Sequence, residues 1–225
     1  GVLADLQTDH VGPHERAAVG RLMAQKPDLI VVPGDVYDGP DVREVLPELR
    51  DLLAQLEAPG GVWLVGGDHD TPYSLAQLRR GTSMRLLKDR IEHIEVRGRR
   101  VWIGGITVRW REEAPRQMIR RLHERGDDED TRLLVTHRPD AVTALPADSR
   151  VDLTVAGHTH GGQIVVPLIG PLVTLSRLPR RIGAGGLHEV EGNRVYVSRG
   201  VGVVRWDAPR VRLFCPPEVS ILTLK

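Results

Sequence analysis

Apolar residues along this chain follow two patterns that alternate from the first residues onward. Short continuous runs, such as 29–32 and 62–65, are typical of strands that are covered on both faces. Longer stretches, such as 41–59, repeat apolar residues at helical spacing, which predicts amphipathic helices. Because the two patterns take turns, the sequence predicts an α/β fold in which helices alternate with buried strands.

The spacing gives approximate bounds for these elements. It predicts helices at 14–28, 41–59, 72–80 and 114–126. It predicts buried strands at 1–5, 29–35, 61–68, 132–137 and 151–160.

The pattern of apolar and polar residues changes after Lys88. From residue 91 to 110, apolar and polar residues alternate about a turn at Gly98-Arg99, which predicts a β-hairpin. The tail adds short β-like pieces at 187–192, 194–200 and 218–224. The chain contains no repeat and no low-complexity tract. We therefore expect a single domain over residues 1–225, with two sheets flanked by helices.

Composition narrows the function classes without choosing among them. The chain has 225 residues, a formal net charge of +1 and 27% charged residues, so it is globular and its bulk charge does not indicate a nucleic-acid partner. Cys215 is the one cysteine, which excludes an internal disulfide framework and a cysteine-rich zinc site. No apolar run approaches the roughly 20 residues that a membrane span requires.

The chain begins at Gly1, without methionine and directly on a predicted strand. This start predicts that an upstream segment has been removed, and three alternatives stay open: an export signal, a membrane anchor or an artificial boundary. The sequence consequently leaves the compartment open between cytoplasmic and membrane-associated, and it leaves the oligomeric state open as well.

Five predicted strands end at residues that commonly bind metals. These residues are Asp5, Asp35 with Asp38, Asp68 with His69, His137, and His158 with His160. One aspartate after a strand is usually a turn residue or a helix cap. Three carboxylates that meet at one sheet edge would repel each other strongly unless cations lay among them. Mixed aspartate and histidine ligands suit Mn, Fe or Zn, so the pattern predicts a metal site, with a bridging carboxylate if two ions bind.

The same residues form five motifs in a fixed order. The motifs are Asp5-Leu6-Gln7, Gly34-Asp35-Val36-Tyr37-Asp38, Gly67-Asp68-His69-Asp70, His137 and Gly157-His158-Thr159-His160. Their order resembles the calcineurin-like metallophosphoesterases, whose pattern is D-x-H, G-D-x-x-D, G-N-H-[DE], an isolated histidine and G-H-x-H. Further along, "GHTHGGQI", "RVYVSRGVG" and "CPPEVSILTL" resemble the bacterial branch with phosphodiesterases and UDP-diacylglucosamine pyrophosphatase-like proteins. The resemblance implies a four-layer α/β/β/α sandwich of two mixed sheets.

The resemblance also implies a dinuclear metal site and an activity. The first metal would be held by Asp5, Gln7, Asp35 and His160, and the second by Asp35, Asp68, His137 and His158. Asp35 would bridge two divalent ions, with Mn favoured and Zn, Fe or Mg as alternatives. The reaction would be hydrolysis of a phosphodiester, pyrophosphate or phosphomonoester by in-line attack of a metal-bridging hydroxide. His69 would act as the catalytic histidine on the leaving group, oriented and charged by Asp38.

Two positions depart from the family pattern. Gln7 stands where the family has a histidine, and an amide oxygen is a weaker and harder ligand than imidazole, so the first metal should bind less tightly or favour Mn or Mg over Zn. The neighbouring Asp9 and His10 could substitute for it, although we expect them in a solvated loop. Asp68 stands where the family has asparagine, which lowers the charge of the site with two ions from +2 to +1. The site should therefore hold metal well and attract an anionic substrate less.

The departures keep a second interpretation open, in which the fold is a metal-binding scaffold for protein contact with weak or no catalysis. The substrate is also open, including whether the phosphoester is lipid-linked or nucleotide-linked. Segment 167–186 is apolar with a basic cluster at Arg177, Arg180 and Arg181, so it is either a lid that meets a lipid-linked phosphate or a membrane surface, or an ordinary packed loop. Candidates for binding phosphate are Arg109, Arg111, Arg138, Arg199 and Arg205.

Overall fold

The structure is a computed structural model that describes residues 1–39, 41–204 and 209–224. The α-helices are α1 (Pro13–Ala24), α2 (Val42–Leu53), α3 (Pro72–Leu78), α4 (Glu113–Glu124) and α5 (Arg180–Gly183), and 3-10 turns lie at Pro139–Ala144 and His160–Gly162. Within these ranges no helix combines the length and the apolar character that crossing a bilayer would require.

The strands form two main sheets and one two-stranded sheet. In chain order they are β1 (Ile30–Val32), β2 (Val62–Leu64), β3 (Met84–Leu86), β4 (Arg90–Val96), β5 (Arg99–Gly105), β6 (Thr131–Val135), β7 (Leu153–Ala156), β8 (Val165–Val166), β9 (Gly170–Pro171), β10 (Gly186–Val190) and β11 (Asn193–Val197). The first sheet is parallel with the order β1-β2-β3, and the second has the order β10-β11-β7-β6-β5-β4. The third, two-stranded sheet pairs β8 with β9 in antiparallel register.

The predicted first and last strands are reduced to single bridges. Val2 pairs with Val31 on one side and with Ser220 on the other, so residues 1–5 and 218–224 extend the first sheet by one residue pair each. The extended backbone stops at Asp5, which has a φ of 47°. A non-glycine residue in this region cannot continue a regular strand, so the prediction of a strand over 1–5 was wrong, whereas the β-like piece predicted at 218–224 forms one bridge.

The predicted hairpin forms from β4 and β5, which pair in antiparallel register from Arg90 to Gly105. Its turn lies at Arg97-Gly98, one residue earlier than the sequence predicted. Both residues have positive φ values, 50° and 78°, as the two central positions of a tight type I′ hairpin turn require.

Three clusters of buried residues define four layers. Helices α1, α2 and α3 pack on one face of the first sheet, where Ile30 and Val32 point. Val31 points the other way, into the cluster between the two sheets. Helix α4, α5 and the turn at Pro139–Ala144 cover the far face of the second sheet. This arrangement confirms the four-layer α/β/β/α sandwich.

Candidate metal centre

The carboxyl ends of strands from both sheets meet at one edge of the molecule. Asp35 follows β1, Asp68 follows β2, His137 follows β6 and His158 follows β7. The loop after Val2 runs alongside, because the Gln7 backbone N–H donates to the Asp35 carbonyl at 2.8 Å. The topology therefore gathers residues from five distant parts of the chain, as the sequence predicted for strand ends.

Several predicted ligands lie in a backbone region that non-glycine residues rarely adopt. Positive φ values are found at Asp5, Gln7, Asp35, His158 and His160, between 42° and 73°. Such conformations cost about 1–3 kcal/mol each and persist where surrounding structure fixes them, typically at functional sites. This concentration at one edge is a structural signal independent of residue type.

Two glycines allow the carboxylates to approach the backbone closely. A Cβ atom at Gly67 would collide with the Asp35 side chain, and one at Gly157 would collide with the Asp5 side chain. At Gly157 the next residue, His158, uses its backbone N–H to donate to both Asp5 carboxylate oxygens, at 2.9 and 3.1 Å. The Gly-Asp and Gly-His motifs thus hold neighbouring carboxylates in fixed positions.

One group of possible ligand atoms consists of Asp68, His137 and His158, which offer three atoms within 4.8 Å of one another. Asp68 Oδ2 lies 2.9 Å from His158 Nδ1 and 3.4 Å from His137 Nε2. These are three of the four residues that the resemblance implied for the second metal.

A second group consists of Asp5, Asp35 and His137. His137 Nε2 lies 3.2 Å from Asp35 Oδ2, and the residue takes part in both groups. His160, which the resemblance implied for the first metal, adjoins this group, with Nε2 3.9 Å from Asp5 Oδ1. All four side chains are buried.

The remaining ring nitrogens of two histidines face backbone carbonyls. His137 Nδ1 lies 2.8 Å from the Pro33 carbonyl oxygen, and His158 Nε2 lies 3.0 Å from the Leu175 carbonyl oxygen. When the ring is neutral, a ring N–H that donates to a carbonyl leaves the other nitrogen with its lone pair, which is the tautomer a metal ligand needs. For both histidines that other nitrogen points at the Asp68 carboxylate.

The charges of the cluster perturb one another strongly. Burial raises the pKa of Asp5 to about 7. Burial also acts to raise the pKa of Asp35, but His137 outweighs it and holds that pKa below its usual value. The pKa of Asp68 is held far below normal against burial by hydrogen bonds from His137, His158 and Arg138. Burial acts to lower the pKa of His137, yet Asp35 and the other carboxylates raise it well above normal. Positive charge near this cluster thus stabilises the ionised form of its carboxylates, and bound cations would do the same.

Among the predicted ligands, Gln7 has the side chain that binds metal most weakly. Its side chain is buried, and its Nε2 donates to Asp38 Oδ2 at 3.1 Å. Its Oε1 is buried and accepts no hydrogen bond from any described residue. A buried amide oxygen without a donor is costly, and a cation beside it would remove that cost. The donor set therefore fits divalent ions, with oxygen and nitrogen ligands and one unsatisfied oxygen.

His69 lies beside the cluster and is paired with Asp38. Its Nδ1 is 3.4 Å from Asp38 Oδ1, and its backbone N–H donates to Asp35 Oδ1 at 2.8 Å. The imidazole is partly exposed and lines a cleft of about 470 Å³ that also includes Tyr37 and Tyr73. The ring therefore lies between the carboxylate cluster and an open space that can hold part of a substrate.

Arg212 is a residue that the sequence reasoning missed. Its guanidinium lies 3.3 Å from His160 Nδ1 and donates to the His160 carbonyl oxygen at 3.2 Å. It also donates to the Arg199 and Gly202 carbonyl oxygens, at 2.7 and 2.6 Å. The contacts fix the His160 turn against the loop after β11. No short motif marks this arginine, because its partners are mostly backbone atoms far away in sequence.

The arginines that the sequence predicted as phosphate contacts lie in different parts of the structure. Arg138 reaches the cluster and contacts Asp68, with Nη2 at 2.6 Å from Oδ1. Arg109 pairs with Glu112 on the surface, and Arg111 stacks on a tryptophan ring. Arg199 pairs with Glu218. Arg205 lies outside the described residues.

The loop residues Asp9 and His10 pair with each other at 2.8 Å. The His10 side chain is exposed, as expected for a solvated loop.

Comparison with known proteins gives a consistent picture. Residues 1–162 match the family model described as calcineurin-like phosphoesterase. The chain is similar to the uncharacterized metallophosphoesterase YkuE of Bacillus subtilis (strain 168), with 30% identity covering 89% of this chain and 68% of that protein. It is similar to phosphodiesterase YaeI of Escherichia coli (strain K12), with 28% identity covering 99% of this chain and 80% of that protein.

Among solved structures, the fold is similar to a 5'-nucleotidase precursor from Thermus thermophilus. The TM-score is 0.55 at 17% identity, and the match covers 89% of this chain and 48% of the nucleotidase chain. The chain thus spans about half of the nucleotidase and shares its fold in that part.

Proposed function

The chain belongs to the calcineurin-like phosphoesterase family, whose members are metal-dependent hydrolases, and on that premise we propose that it hydrolyses phosphoesters at a dinuclear metal centre. The observation that supports this most directly is the pair of ligand groups at one sheet edge, Asp68-His137-His158 and Asp5-Asp35-His137. One such group could serve a single structural ion. Two adjoining groups with Asp35 lying between them, where a carboxylate can bridge, provide ligands for a pair of neighbouring ions.

In this proposal the two ions have ligand sets that share Asp35. The first ion would be held by Asp5, Gln7, Asp35 and His160, and the second by Asp35, Asp68, His137 and His158. When bound, the two ions would neutralise the phosphoryl oxygens and lower the pKa of a water molecule that attacks the phosphorus. The buried carboxylates and the carbonyl-bound histidines keep the ligand atoms in position before substrate arrives.

His69 is the proposed proton donor to the leaving-group oxygen. Asp38 is buried and lies on the Nδ1 side of the ring, so it orients the imidazole with Nε2 facing away from it. A ring held in this orientation can present its Nε2 to the leaving-group oxygen. The cleft next to His69 then accommodates the leaving group.

Arg138 is the proposed contact for the substrate phosphate. Its Nε and Nη2 donate to Asp68, while its Nη1 donates to no residue in the described ranges. The side chain is partly exposed at the rim of the cluster. It also balances the charge of Asp68, the carboxylate that replaces the asparagine of the family pattern.

Substituting Asp68→Asn should raise the catalytic efficiency on a model phosphodiester by about tenfold. The change releases Arg138 from its ion pair, and a charge-assisted hydrogen bond to phosphate contributes about 1.5 kcal/mol or more. It also adds an amide N–H that a carboxylate lacks. The measurement is kcat/KM for bis-p-nitrophenyl phosphate with Mn²⁺.

The double variant Asp68→Asn, Arg138→Met is the matched control for this effect. If the gain comes from the released arginine, the double variant should lose most of it. A fall in activity of Asp68→Asn together with a loss of bound metal would show instead that the carboxylate is an indispensable ligand.

The proposed function is tested by a panel of phosphodiesters, phosphomonoesters and pyrophosphates, offered to the protein with Mn²⁺, Zn²⁺ and Mg²⁺ in turn. We expect metal-dependent turnover of at least one class, with Mn²⁺ the most effective ion. A protein that binds the ions and hydrolyses none of the panel would favour the scaffold interpretation.

A further inference from the structure

Exposed apolar side chains concentrate on one surface of the described molecule. Eight of the twelve large exposed hydrophobic residues lie in two short segments, 164–175 and 211–214, which we call the apolar ribbon. They are Leu168, Ile169, Leu172, Val173, Leu175, Val211, Leu213 and Phe214. Singly exposed apolar residues are common on soluble proteins, but a cluster of this kind usually marks a binding surface.

The two segments of the apolar ribbon are joined by backbone pairing. Strands β8 and β9 form a hairpin whose tip carries Leu168 and Ile169. On its other side β8 adjoins the second segment, where the Val165 N–H donates to the Leu213 carbonyl oxygen at 2.9 Å. The ribbon is therefore one continuous surface with three lengths of backbone side by side.

The ribbon is attached directly to the metal centre. The Leu175 carbonyl oxygen accepts from the ring of His158 at 3.0 Å. Just beyond, the backbone N–H of Arg177 donates to Asp140 at 2.8 Å, and the Ser176 hydroxyl donates to the same carboxylate at 2.8 Å. Whatever covers the ribbon will consequently lie beside the cluster of predicted metal ligands.

The two segments and the residues that flank them in sequence carry basic side chains and no acidic ones. Residues 153–188 contain no aspartate or glutamate, and neither do residues 209–217. The exposed basic residues in these stretches are Arg177, Arg180, Arg181 and Arg210. The helix α5, which begins at Arg180, packs against β9 of the ribbon. Apolar segments that are flanked in sequence by arginines and contain no acidic residue are complementary to an anionic lipid surface.

We propose that the apolar ribbon inserts into the headgroup region of an anionic membrane, with Leu168 and Ile169 entering deepest. The arginines would contact lipid phosphates, and the metal centre would face the membrane surface. A protein partner would need no excess of one charge, so the presence of arginines without acidic residues in these segments favours lipid over a second protein. Binding to lipid does not require catalysis, whereas any preference for a substrate within the membrane rests on the proposed function.

The test is sedimentation of the full chain with vesicles of phosphatidylcholine alone and with vesicles that also contain phosphatidylglycerol. The wild-type protein should bind the mixed vesicles and bind the neutral ones weakly. The variant Leu168→Asp, Ile169→Asp should reduce binding at least about tenfold, since two apolar side chains no longer enter the lipid. Arg180→Glu with Arg181→Glu should remove the preference for anionic vesicles.

Leu187→Asp is the matched control. Leu187 is 63% exposed and Ile169 is 67% exposed, but Leu187 lies on β10, outside the apolar ribbon. This variant should bind vesicles as the wild type does.

The proposal is overturned if the wild type sediments with neither kind of vesicle, or if the variant Leu168→Asp, Ile169→Asp binds as well as the wild type. A concentration-dependent dimer that the same variant abolishes would identify a second copy of the chain as the occupant instead. Hydrolysis of soluble bis-p-nitrophenyl phosphate by the ribbon variant should equal that of the wild type, so a failure of lipid binding can be told apart from a failure of the metal centre.

Discussion

Substituting Asp35→Asn should lower turnover of a model phosphodiester by at least about a thousandfold. The proposed role of Asp35 is to bridge both ions, so an amide in its place weakens two sites at once. Loss of the metal charge removes several kcal/mol of transition-state stabilisation, and about 4 kcal/mol corresponds to a thousandfold in rate. Turnover of bis-p-nitrophenyl phosphate and metal content, measured on the same preparation, check this result.

The environment of Asp35 explains why the substitution should act on metal binding. The carboxylate is buried, lies 3.2 Å from His137 Nε2 and accepts from the His69 N–H. Asp128→Asn is a suitable control, because it makes the same chemical change on a fully exposed side chain. A variant at Asp35 that keeps two bound ions and near-normal turnover would contradict the bridging role.

Substituting His69→Ala should reduce turnover by at least about a hundredfold while metal content stays unchanged. A positioned proton donor typically contributes about 10²–10⁴ in rate. The side chain of His69 contacts Asp38 rather than the atoms of the two ligand groups, so its removal leaves those groups intact. The measurement is kcat on bis-p-nitrophenyl phosphate, with the metal content of the same sample determined by elemental analysis.

His10→Ala serves as the control for His69→Ala, since His10 is an exposed histidine in the loop after the first motif. It should leave both turnover and metal content unchanged. If the His69 variant loses metal, or if its rate is normal, His69 is not the proton donor.

The family and the layered fold could be predicted because their signals are local. Continuous apolar runs mark β1, β2, β6 and β7, and these runs are followed within a few residues by Asp35, Asp68, His137 and His158. The family match over residues 1–162 and the four-layer sandwich confirm these parts of the prediction. The roles of the individual ligands stay predictions that the metal measurements test.

Other features depend on contacts between distant residues, which a sequence pattern does not contain. The ion pair of Asp68 with Arg138 joins positions 70 residues apart, and it changes the meaning of the aspartate at position 68. Arg212 binds carbonyl groups that only the folded loops bring together. The strand predicted at 1–5 shortens to a bridge, and Asp5 at its end has a positive φ. The residue type alone does not predict this backbone conformation.

The apolar ribbon lies between these extremes. Five of its eight residues, and the arginines that follow them, lie in segment 167–186, but the sequence could not decide between a packed loop and an exposed surface. The pairing of β8 with β9, and of Val165 with Leu213, leaves the apolar side chains outside the core. Exposure, which distinguishes the two alternatives, is a property of the folded chain.

The most direct test of the dinuclear phosphoesterase is a titration of metal-free protein with Mn²⁺, in which bound ions per chain and turnover of bis-p-nitrophenyl phosphate are measured on the same samples. We predict that two ions bind per chain, that the second set of ligands fills before the weaker first set with Gln7, and that turnover rises as the first set fills. Full turnover in the metal-free protein, or saturation with two ions without any hydrolysis, would contradict the account.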